Sequence, residues 1–277
     1  MSGRLEGRVA FITGAARGQG RAHAVRLAHQ GADIIAIDGC HDIATINYPL
    51  ASEDDLKETV RLVESTGRRI VAGKADVRDF AGLSAAFEEG HAEFGRLDII
   101  IANAGVIRLG PESDDFLADW SDVIDTNLSG VFHTIRAGLP AMRAGGRGGS
   151  IVVTSSTAGF KGLKSLTASN LAYSASKRGI VGLMQSLARV LAPEHIRVNS
   201  IHPTGVRSGM SQNAAADKLR DEASAGKSNT VSGMRNALPV GMLEPEDVAG
   251  VVAFLVSDEA RFITGVQFPA DAGYSVA

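Results

Sequence analysis

The chain has 277 residues, of which 44% are apolar and 32 are glycine, which fits a globular protein with a sizeable core and many tight turns. A net charge of -3 without blocks of like charge argues against a nucleic-acid partner. The single cysteine, Cys40, excludes an internal disulfide, and the sequence carries neither a signal-peptide core nor an apolar run of membrane-spanning length. We therefore expect a cytoplasmic protein without membrane contact.

Short runs rich in Val and Ile alternate along the chain with longer segments of helical period. The predicted strands are residues 8–13, 33–38, 69–76, 97–103, 150–156, 196–202 and 265–271. The predicted helices are residues 18–30, 53–66, 79–94, 115–144, 172–191 and 245–257. Strands that are nearly continuous in apolar residues are typical of a parallel sheet covered on both faces. The alternation therefore predicts an α/β fold, a doubly wound parallel sheet, with residues 1–277 in one domain.

Two segments interrupt this alternation. Residues 39–52 separate the second strand from its helix, and since such connections usually take about 2–6 residues, we interpret this segment as an insertion. Residues 206–238 form a long connection after the carboxyl end of a strand, a place that is often occupied by a lid. Met210, Met234 and Met242 lie in or just after the predicted lid, and they favour either an apolar substrate or ordinary packing.

A glycine-rich turn follows the first strand. Gly14, Gly18 and Gly20 are spaced G-x-x-x-G-x-G directly before and within the first predicted helix. Glycine permits a tight turn and lets the backbone approach a pyrophosphate, while the helix N-terminus presents N–H groups and the positive end of its dipole. Because a strand precedes the turn and a helix follows it, the spacing predicts a dinucleotide-binding cradle rather than an ordinary turn.

An acidic residue, Asp38, ends the second strand at the distance from the cradle that is typical of a ribose-binding carboxylate. A carboxylate there bonds the ribose hydroxyls of the adenosine and repels a 2′-phosphate, so NAD is favoured over NADP. Arg17 is a cation beside the cradle that could bind a 2′-phosphate. An NADP-dependent ketone reductase therefore stays open as the alternative enzyme.

The third and fourth strands end in residues that could contact a ligand. Asp76 and Val77 end the third strand, and Asn103, Ala104 and Gly105 end the fourth. Open α/β sheets bind ligands at the carboxyl ends of their strands. We therefore expect these residues to lie at the same edge of the sheet as the glycine cradle.

Tyr173 and Lys177 lie four positions apart near the start of an apolar run of helical period. Residues at i and i+4 share one face of a helix, so the phenol and the amine can converge on one point. A nearby ammonium favours the phenolate and lowers the pKa of the phenol, which makes Tyr173 a candidate general base for an alcohol hydroxyl. Ser156, at the end of the fifth strand, is expected to hydrogen-bond the substrate oxygen. The competing interpretation is a solvated helix face.

Together these residues resemble the short-chain dehydrogenase/reductase family. The shared motifs are "TGAARGQG" (13–20), Asp76, "NAG" (103–105), Asn127 in "DTNLSG", "SS" (155–156) and "YSASK" (173–177). The resemblance implies a seven-stranded Rossmann-type sheet, a nicotinamide cofactor and a homotetramer.

The resemblance also implies the residues of the site. The implied catalytic residues are Asn127, Ser156, Tyr173 and Lys177, with Asn127 holding a water against the lysine for proton relay. The implied cofactor-binding residues are Gly14, Arg17, Gly18, Gln19, Gly20, Asp38, Asp76, Val77, Asn103, Ala104, Gly105, Tyr173, Lys177, Pro203, Thr204 and Val206.

Further features are similar to a subgroup of the family that is associated with mycofactocin and includes carveol dehydrogenases. They are the insertion and the segment that follows it (48–79), "TGAARGQGRAHAV", the longer spacing from Ser156 to Tyr173, and "VNSIHPTGV" (198–206). This resemblance implies an NAD that does not exchange freely and is reoxidised in place by mycofactocin, a redox carrier made from a peptide. Thr204 stands where the wider family commonly has glycine, and the subgroup shares this trait. On this resemblance the insertion is expected to pack over the adenosine. The alternative interpretation is that the insertion is only a surface loop.

The seven histidines contain no pair spaced as metal ligands on one helical turn, so no metal site is predicted. We expect His41, His133 and His202 to be incidental to the chemistry. The sequence as a whole predicts an NAD-dependent oxidoreductase that interconverts a secondary alcohol, such as an apolar terpenoid like carveol, and its ketone. The alternative from another class is a dinucleotide-sensing protein without catalysis.

Overall fold

A single parallel β-sheet forms the centre of the computed structural model, which describes residues 3–224 and 235–277. The strands are β1 (Val9–Thr13), β2 (Asp33–Asp38), β3 (Ile70–Lys74), β4 (Ile99–Ala102), β5 (Gly149–Thr154), β6 (Ile196–Pro203) and β7 (Gln267–Ala270). Within the described residues, the sheet has seven strands in the order β3-β2-β1-β4-β5-β6-β7. The predicted doubly wound parallel sheet is confirmed, and every predicted strand is present.

Helices cover both faces of the sheet. They are α1 (Gly18–His29), α2 (Glu53–Glu64), α3 (Phe80–Phe94), α4 (Phe116–Ile124), α5 (Gly130–Ala144), α6 (Ala158–Lys161), α7 (Ala168–Leu191), α8 (Ala214–Ser224) and α9 (Pro245–Val256). Alternate residues of β1 join different apolar clusters, because successive side chains of a strand point to opposite faces. Ala10 and Ile12 share a cluster with Leu27 of α1, whereas Phe11 packs in the other cluster with Phe87 of α3.

Two predicted helices differ from the structure by more than two residues at one of their ends or within the segment. The helix predicted for residues 115–144 is divided by a π turn, Asp125–Ser129, that lies between α4 and α5. Helix α5 starts close to the chain that follows β3, since a Cβ on Gly130 would lie 2.5 Å from Cγ2 of Val77. The helix predicted from residue 172 begins at Ala168 instead, so Tyr173 lies in its second turn and not at its exposed start.

The segment predicted as a lid, residues 206–238, contains helix α8, which the sequence analysis did not identify. Residues 225–234 of this segment, among them Met234, lie outside the described residues. A short parallel bridge joins the base of the segment to the chain beyond it. There, Leu243 N donates to Gly205 O at 2.9 Å, and Arg207 N donates to Leu243 O at 2.9 Å.

The strand order places a crevice at the carboxyl edge of the sheet. The chain runs outward from β1 to β3 on one side and from β4 to β7 on the other, and open α/β sheets bind ligands where this reversal occurs. The insertion, residues 39–52, returns to this edge and ends at a capping box, in which Ser52 and Asp55 bond each other's backbone N–H at the start of α2. None of the helices in the described parts of the chain is both long and apolar enough to cross a bilayer.

Candidate active site

A cavity of about 950 Å³ lies at the carboxyl edge of the sheet. Of the residues that the sequence predicts for the site, only Gly20 and Asn127 are absent from the described lining of this cavity. The sheet therefore brings together side chains from the ends of β1 to β6, from α7 and from the insertion.

The glycine turn after β1 has the backbone that the cradle prediction requires. Gly14 and Gly18 have φ values of +66° and +55°, which favour glycine because a Cβ is strained there. A Cβ on Gly14 would also lie 2.8 Å from the Cα of Ala104. Beside this turn, the side-chain oxygen of Gln19 is buried without a hydrogen-bond partner among the described residues, so a polar ligand fits the cradle.

Gly20 packs against the glycine turn and does not line the cavity. A Cβ at this position would lie 1.9 Å from the carbonyl oxygen of Gly14, and Gly20 itself is buried outside the cavity. The absence of a side chain thus lets the first turn of α1 pack directly on the cradle. Gly20 thus sets the shape of the turn, and its contact with the cofactor stays a prediction.

Asn103, at the end of β4, links three neighbouring strand ends. Its side-chain Nδ2 lies 3.2 Å from Thr13 O and 3.3 Å from Gly14 O, and its Oδ1 accepts a hydrogen bond from Thr154 Oγ1 at 3.3 Å. One amide therefore connects the cradle after β1 with the end of β5, where the predicted catalytic serine follows.

Asp38 and Arg17 flank the cradle and have different partners. The Asp38 carboxylate accepts hydrogen bonds from Ala16 N at 3.0 Å and from Cys40 N at 3.2 Å, which hold it at the cavity wall. The Arg17 guanidinium donates to Pro49 O at 2.7 Å, so it reaches the insertion. On its other side it is close to the chain after β6, because a Cβ on Gly209 would lie 2.3 Å from its Cζ.

Apolar contacts hold the insertion against the cavity. Ile43, Ile46 and Tyr48 are buried in a cluster with Val106, from the loop after β4, and Met210 packs against the same cluster. The insertion is therefore packed against the rest of the protein and is not only a surface loop. Tyr48 lines the cavity and is 5% exposed, and it is a site residue that the sequence analysis missed.

Polar contacts hold the insertion as well. Asn47 and Leu109 form a reciprocal pair, in which Asn47 Nδ2 donates to Leu109 O at 2.7 Å and Leu109 N donates to Asn47 Oδ1 at 3.0 Å. Thr45 Oγ1 donates to Asp122 of α4 at 2.7 Å. His41 Nε2 lies 3.2 Å from a carboxylate oxygen of Asp76, so this histidine connects the insertion to the end of β3.

Ser156, Tyr173 and Lys177 converge on the cavity as predicted. The hydroxyls of Ser156 and Tyr173 face the same cavity and lie close enough for the serine to lower the pKa of the phenol. Lys177 Nζ donates to Thr154 O at 2.8 Å and lies 5.5 Å from the centroid of the Tyr173 ring. The lysine is 3% exposed, so the end of β5 fixes the ammonium beneath the phenol.

The pKa values of this group differ from the expectation for the phenol. Burial raises the pKa of Tyr173, and the nearby Ser156 hydroxyl opposes this effect without cancelling it. Burial also lowers the pKa of Lys177 to about 8. The expected lowering of the phenol pKa is therefore not seen, because the effect of burial on Tyr173 outweighs that of the Ser156 hydroxyl.

Asn127 lies in the π turn behind the loop that follows β4. Its Oδ1 accepts a hydrogen bond from Val106 N at 2.7 Å, and its Nδ2 donates to Val106 O at 2.9 Å. Lys177 is nearby, since a Cβ on Gly105 would lie 3.2 Å from Asn127 Oδ1 and 3.4 Å from Lys177 Nζ. The side chain of Asn127 thus holds the cavity wall, and the predicted water relay stays a prediction.

Thr204 follows β6 and stabilises the segment that returns from the predicted lid. Its hydroxyl donates to Asn236 Oδ1 at 3.1 Å, and Asn236 Nδ2 donates in turn to Val240 O at 2.8 Å. A glycine at position 204 could not make this bond. Met210 and Met242 line the cavity on the same side.

The sequence of residues 8–219 matches the family model described as short chain dehydrogenase. The chain belongs to the short-chain dehydrogenase family. An uncharacterized oxidoreductase of Mycobacterium tuberculosis is 52% identical over 270 residues, which are 98% of this chain and 97% of the relative. The (-)-trans-carveol dehydrogenase of Rhodococcus erythropolis is 46% identical over 275 residues, which are 98% of each chain.

Solved structures of short-chain dehydrogenases share the whole fold. The crystal structure of carveol dehydrogenase from Mycobacterium avium in complex with NAD has a TM-score of 0.90 and 46% identity to this chain. The alignment covers 99% of this chain and 100% of that one, so it includes the insertion.

Proposed function

We propose that this short-chain dehydrogenase binds NAD and interconverts a secondary alcohol and its ketone. The observation that carries the proposal is the convergence of Ser156, Tyr173 and Lys177 on the same cavity as the glycine cradle and Asp38. The similarity to an NAD-bound carveol dehydrogenase over the whole chain supports both the cofactor and the class of reaction.

The catalytic residues have distinct roles in the proposed reaction. The hydroxyls of Ser156 and Tyr173 bind the substrate oxygen, and Tyr173 removes the hydroxyl proton during alcohol oxidation. The Lys177 ammonium favours the phenolate form of Tyr173. Bound NAD would supply the hydride acceptor, and its positively charged nicotinamide would favour the phenolate further. In the reverse direction Tyr173 donates the proton to the ketone. Asn127 is assigned to the proton relay behind Lys177.

The adenosine side of the cavity favours NAD over NADP. The Asp38 carboxylate lies beside the cradle, where it can bond ribose hydroxyls and would repel a 2′-phosphate. Arg17, which motivated the NADP-dependent alternative, bonds Pro49 of the insertion. The cation is thus engaged with the insertion.

We propose that the cofactor exchanges slowly and that mycofactocin reoxidises it in place, and the contacts of the insertion support slow exchange. Apolar contacts, the Asn47–Leu109 pair and the Arg17–Pro49 bond all fix the insertion over the cavity that would hold NAD. A cofactor leaving this cavity would have to break such contacts, so its release is expected to be slow. An electron acceptor that reaches the nicotinamide then restores NAD without release.

The substrate side of the cavity favours an apolar alcohol. Ile107, Leu109, Leu163, Met210 and Met242 line it. Such walls suit a small hydrocarbon ring that carries a single oxygen, and two of the similar proteins are named for carveol.

The proposal extends to assembly and location. We propose that residues 1–277 form one domain and that the protein forms a homotetramer in the cytoplasm. Exposed apolar residues on α4, α5 and α7 support self-association, namely Phe116, Leu117, Trp120, Phe132 and Leu171.

The test starts from protein purified without added cofactor. Denaturation should release NAD or NADH in a stoichiometric amount, and carveol should reduce the bound cofactor in a single turnover. Multiple turnovers should be slow with free NAD and faster with an artificial electron acceptor. Bound NADP, or an empty protein that cycles freely with added NAD, would contradict the cofactor proposal. Single turnover that persists unchanged in Tyr173→Phe would contradict the catalytic proposal.

A further inference from the structure

His202 lies on β6 directly behind the catalytic serine. Its Nδ1 is 3.0 Å from the main-chain oxygen of Ser156, and its Nε2 is 2.9 Å from Ser200 Oγ. A carbonyl oxygen can only accept a hydrogen bond, so Nδ1 carries the proton and Nε2 accepts from the Ser200 hydroxyl. The two neighbours therefore select one neutral tautomer of the imidazole.

The environment keeps this imidazole neutral and immobile. Burial lowers the pKa of His202 to about 4, and the charges of Lys177 and Arg178 act in the same direction. The side chain is fully buried, and its ring stacks on Phe160 with centroids 4.1 Å apart and planes 16° apart. Both features preserve the hydrogen-bond donor at Nδ1 across the pH range in which dehydrogenases work.

Ser156 needs such support because it lies beyond the end of β5. The residues on either side are bonded to β6 by their main chains, Ser155 N to Ile201 O at 2.9 Å and Thr157 N to Pro203 O at 3.0 Å. Pro203 has no N–H with which to continue the ladder in the other direction. The imidazole of His202 supplies a donor from β6 at this point, and it fixes the peptide plane that follows the Cα of Ser156.

We propose that His202 is a positioning residue that holds the main chain of Ser156 and thereby directs the serine hydroxyl at the substrate oxygen. This proposal rests on the proposed function, because it requires Ser156 to bind the reacting alcohol. It differs from the expectation that His202 is incidental to the chemistry.

Two amide substitutions separate the two hydrogen bonds of the ring. In His202→Asn the side-chain amide occupies the position of Nδ1 and can donate to Ser156 O. In His202→Gln the amide occupies the position of Nε2 and can bond Ser200 but not Ser156. His202→Phe retains the ring that stacks on Phe160 and loses both bonds.

The experiment measures the single-turnover rate of carveol oxidation, the content of bound cofactor and the thermal unfolding midpoint. We expect His202→Gln and His202→Phe to lower the rate by about 10–100-fold with full cofactor content, because an error of about 1 Å in a reacting group has effects of this size. His202→Asn should restore the rate to within about threefold of the original. Equal rates for the Asn and Gln variants would overturn the proposal.

A double-mutant cycle with Ser156→Ala adds a readout that a purely structural role would not move. Once the serine hydroxyl is gone, His202→Gln should cause no further loss of rate. A loss as large as in the original protein would overturn the proposal. If His202→Phe fails to fold, the Asn and Gln variants carry the same comparison.

The failure of the proposed function has a different signature. Both proposals fail if the unmodified protein turns over neither carveol nor other secondary alcohols. Both also fail if Tyr173→Phe reacts as fast as the unmodified protein. If Tyr173→Phe is inactive but the His202 and Ser156 effects multiply independently, only the positioning role is wrong.

Discussion

The two sides of the cavity are built in different ways. On the catalytic side, main-chain atoms of regular elements fix the reacting groups, as Thr154 O fixes Lys177 and as β6 holds the serine segment. On the covering side, the insertion is held by side chains that meet loops, among them Asn47 with Leu109 and Arg17 with Pro49. Groups on strands and helices hold tighter geometry than groups on loops. We infer that the first side sets the rate of the chemical step and the second sets the residence time of the cofactor.

The largest effect is expected at the phenol of the catalytic side, Tyr173. We expect Tyr173→Phe to lower the single-turnover rate of alcohol oxidation by about 10³-fold, because it removes the general base. Cofactor content should not change. Tyr48→Phe is the matched control, since it removes a phenolic hydroxyl from the covering side of the same cavity. A comparable loss in both variants would contradict the division of roles.

A second test on the catalytic side is the pH dependence of oxidation. The proposed reaction needs the phenolate of Tyr173, so we expect its rate to rise with pH. Lys177→Met removes the cation that favours the phenolate, and we expect the rising limb to move to higher pH. Because burial lowers the pKa of Lys177 to about 8, part of the cation's effect is already lost above that pH in the enzyme without cofactor. An unchanged limb in a pH–rate profile of Lys177→Met would show that the ammonium does not assist the phenol.

The covering side is tested through cofactor release. Asn47→Ala removes both hydrogen bonds with Leu109, and at about 1 kcal/mol for each bond we expect release to be about tenfold faster or more. Stopped-flow exchange of bound NAD against a labelled competitor measures this rate. The single-turnover rate should stay the same, and Lys57→Ala, on the exposed face of α2, is the control. Slower chemistry with unchanged release would reverse the assignment of the two sides.

The smallest expected effect distinguishes the insertion from the segment after β6. Thr204→Val keeps the shape of the side chain but loses the single hydrogen bond to Asn236. One such bond contributes about 1 kcal/mol, so we expect release to accelerate by about fivefold at most. If Thr204→Val accelerates release more than Asn47→Ala, the segment after β6, and not the insertion, governs retention.

Local sequence predicted the parts of the site that depend on local geometry. The cradle glycines, Asp38 at the end of a strand, and the Tyr173–Lys177 spacing each follow from the chain near them, and the sheet then brings them to one edge. The sign of the pKa shift at Tyr173 was wrong because burial depends on atoms from the rest of the chain.

Other features could not be predicted because they pair residues far apart in the chain. His202 meets Ser156 across 46 positions, and the distance in sequence carries no signal of that bond. Tyr48 is the aromatic residue of the insertion, which could have marked it as an anchor, but its neighbour Val106 comes from another strand end. Helix α8 escaped notice because its apolar face is short and its surroundings are rich in serine and glycine.

Asn103 connects two parts of the site, the glycine turn after β1 and the end of β5. Its one amide group contacts the turn that would hold the diphosphate and also Thr154, two residues before the proposed catalytic serine. A displacement of either part therefore strains the hydrogen bonds of the same side chain. Substitutions around Asp38 that displace the glycine turn would therefore also disturb the alignment of the reacting groups, unless they leave the hydrogen bonds of Asn103 intact.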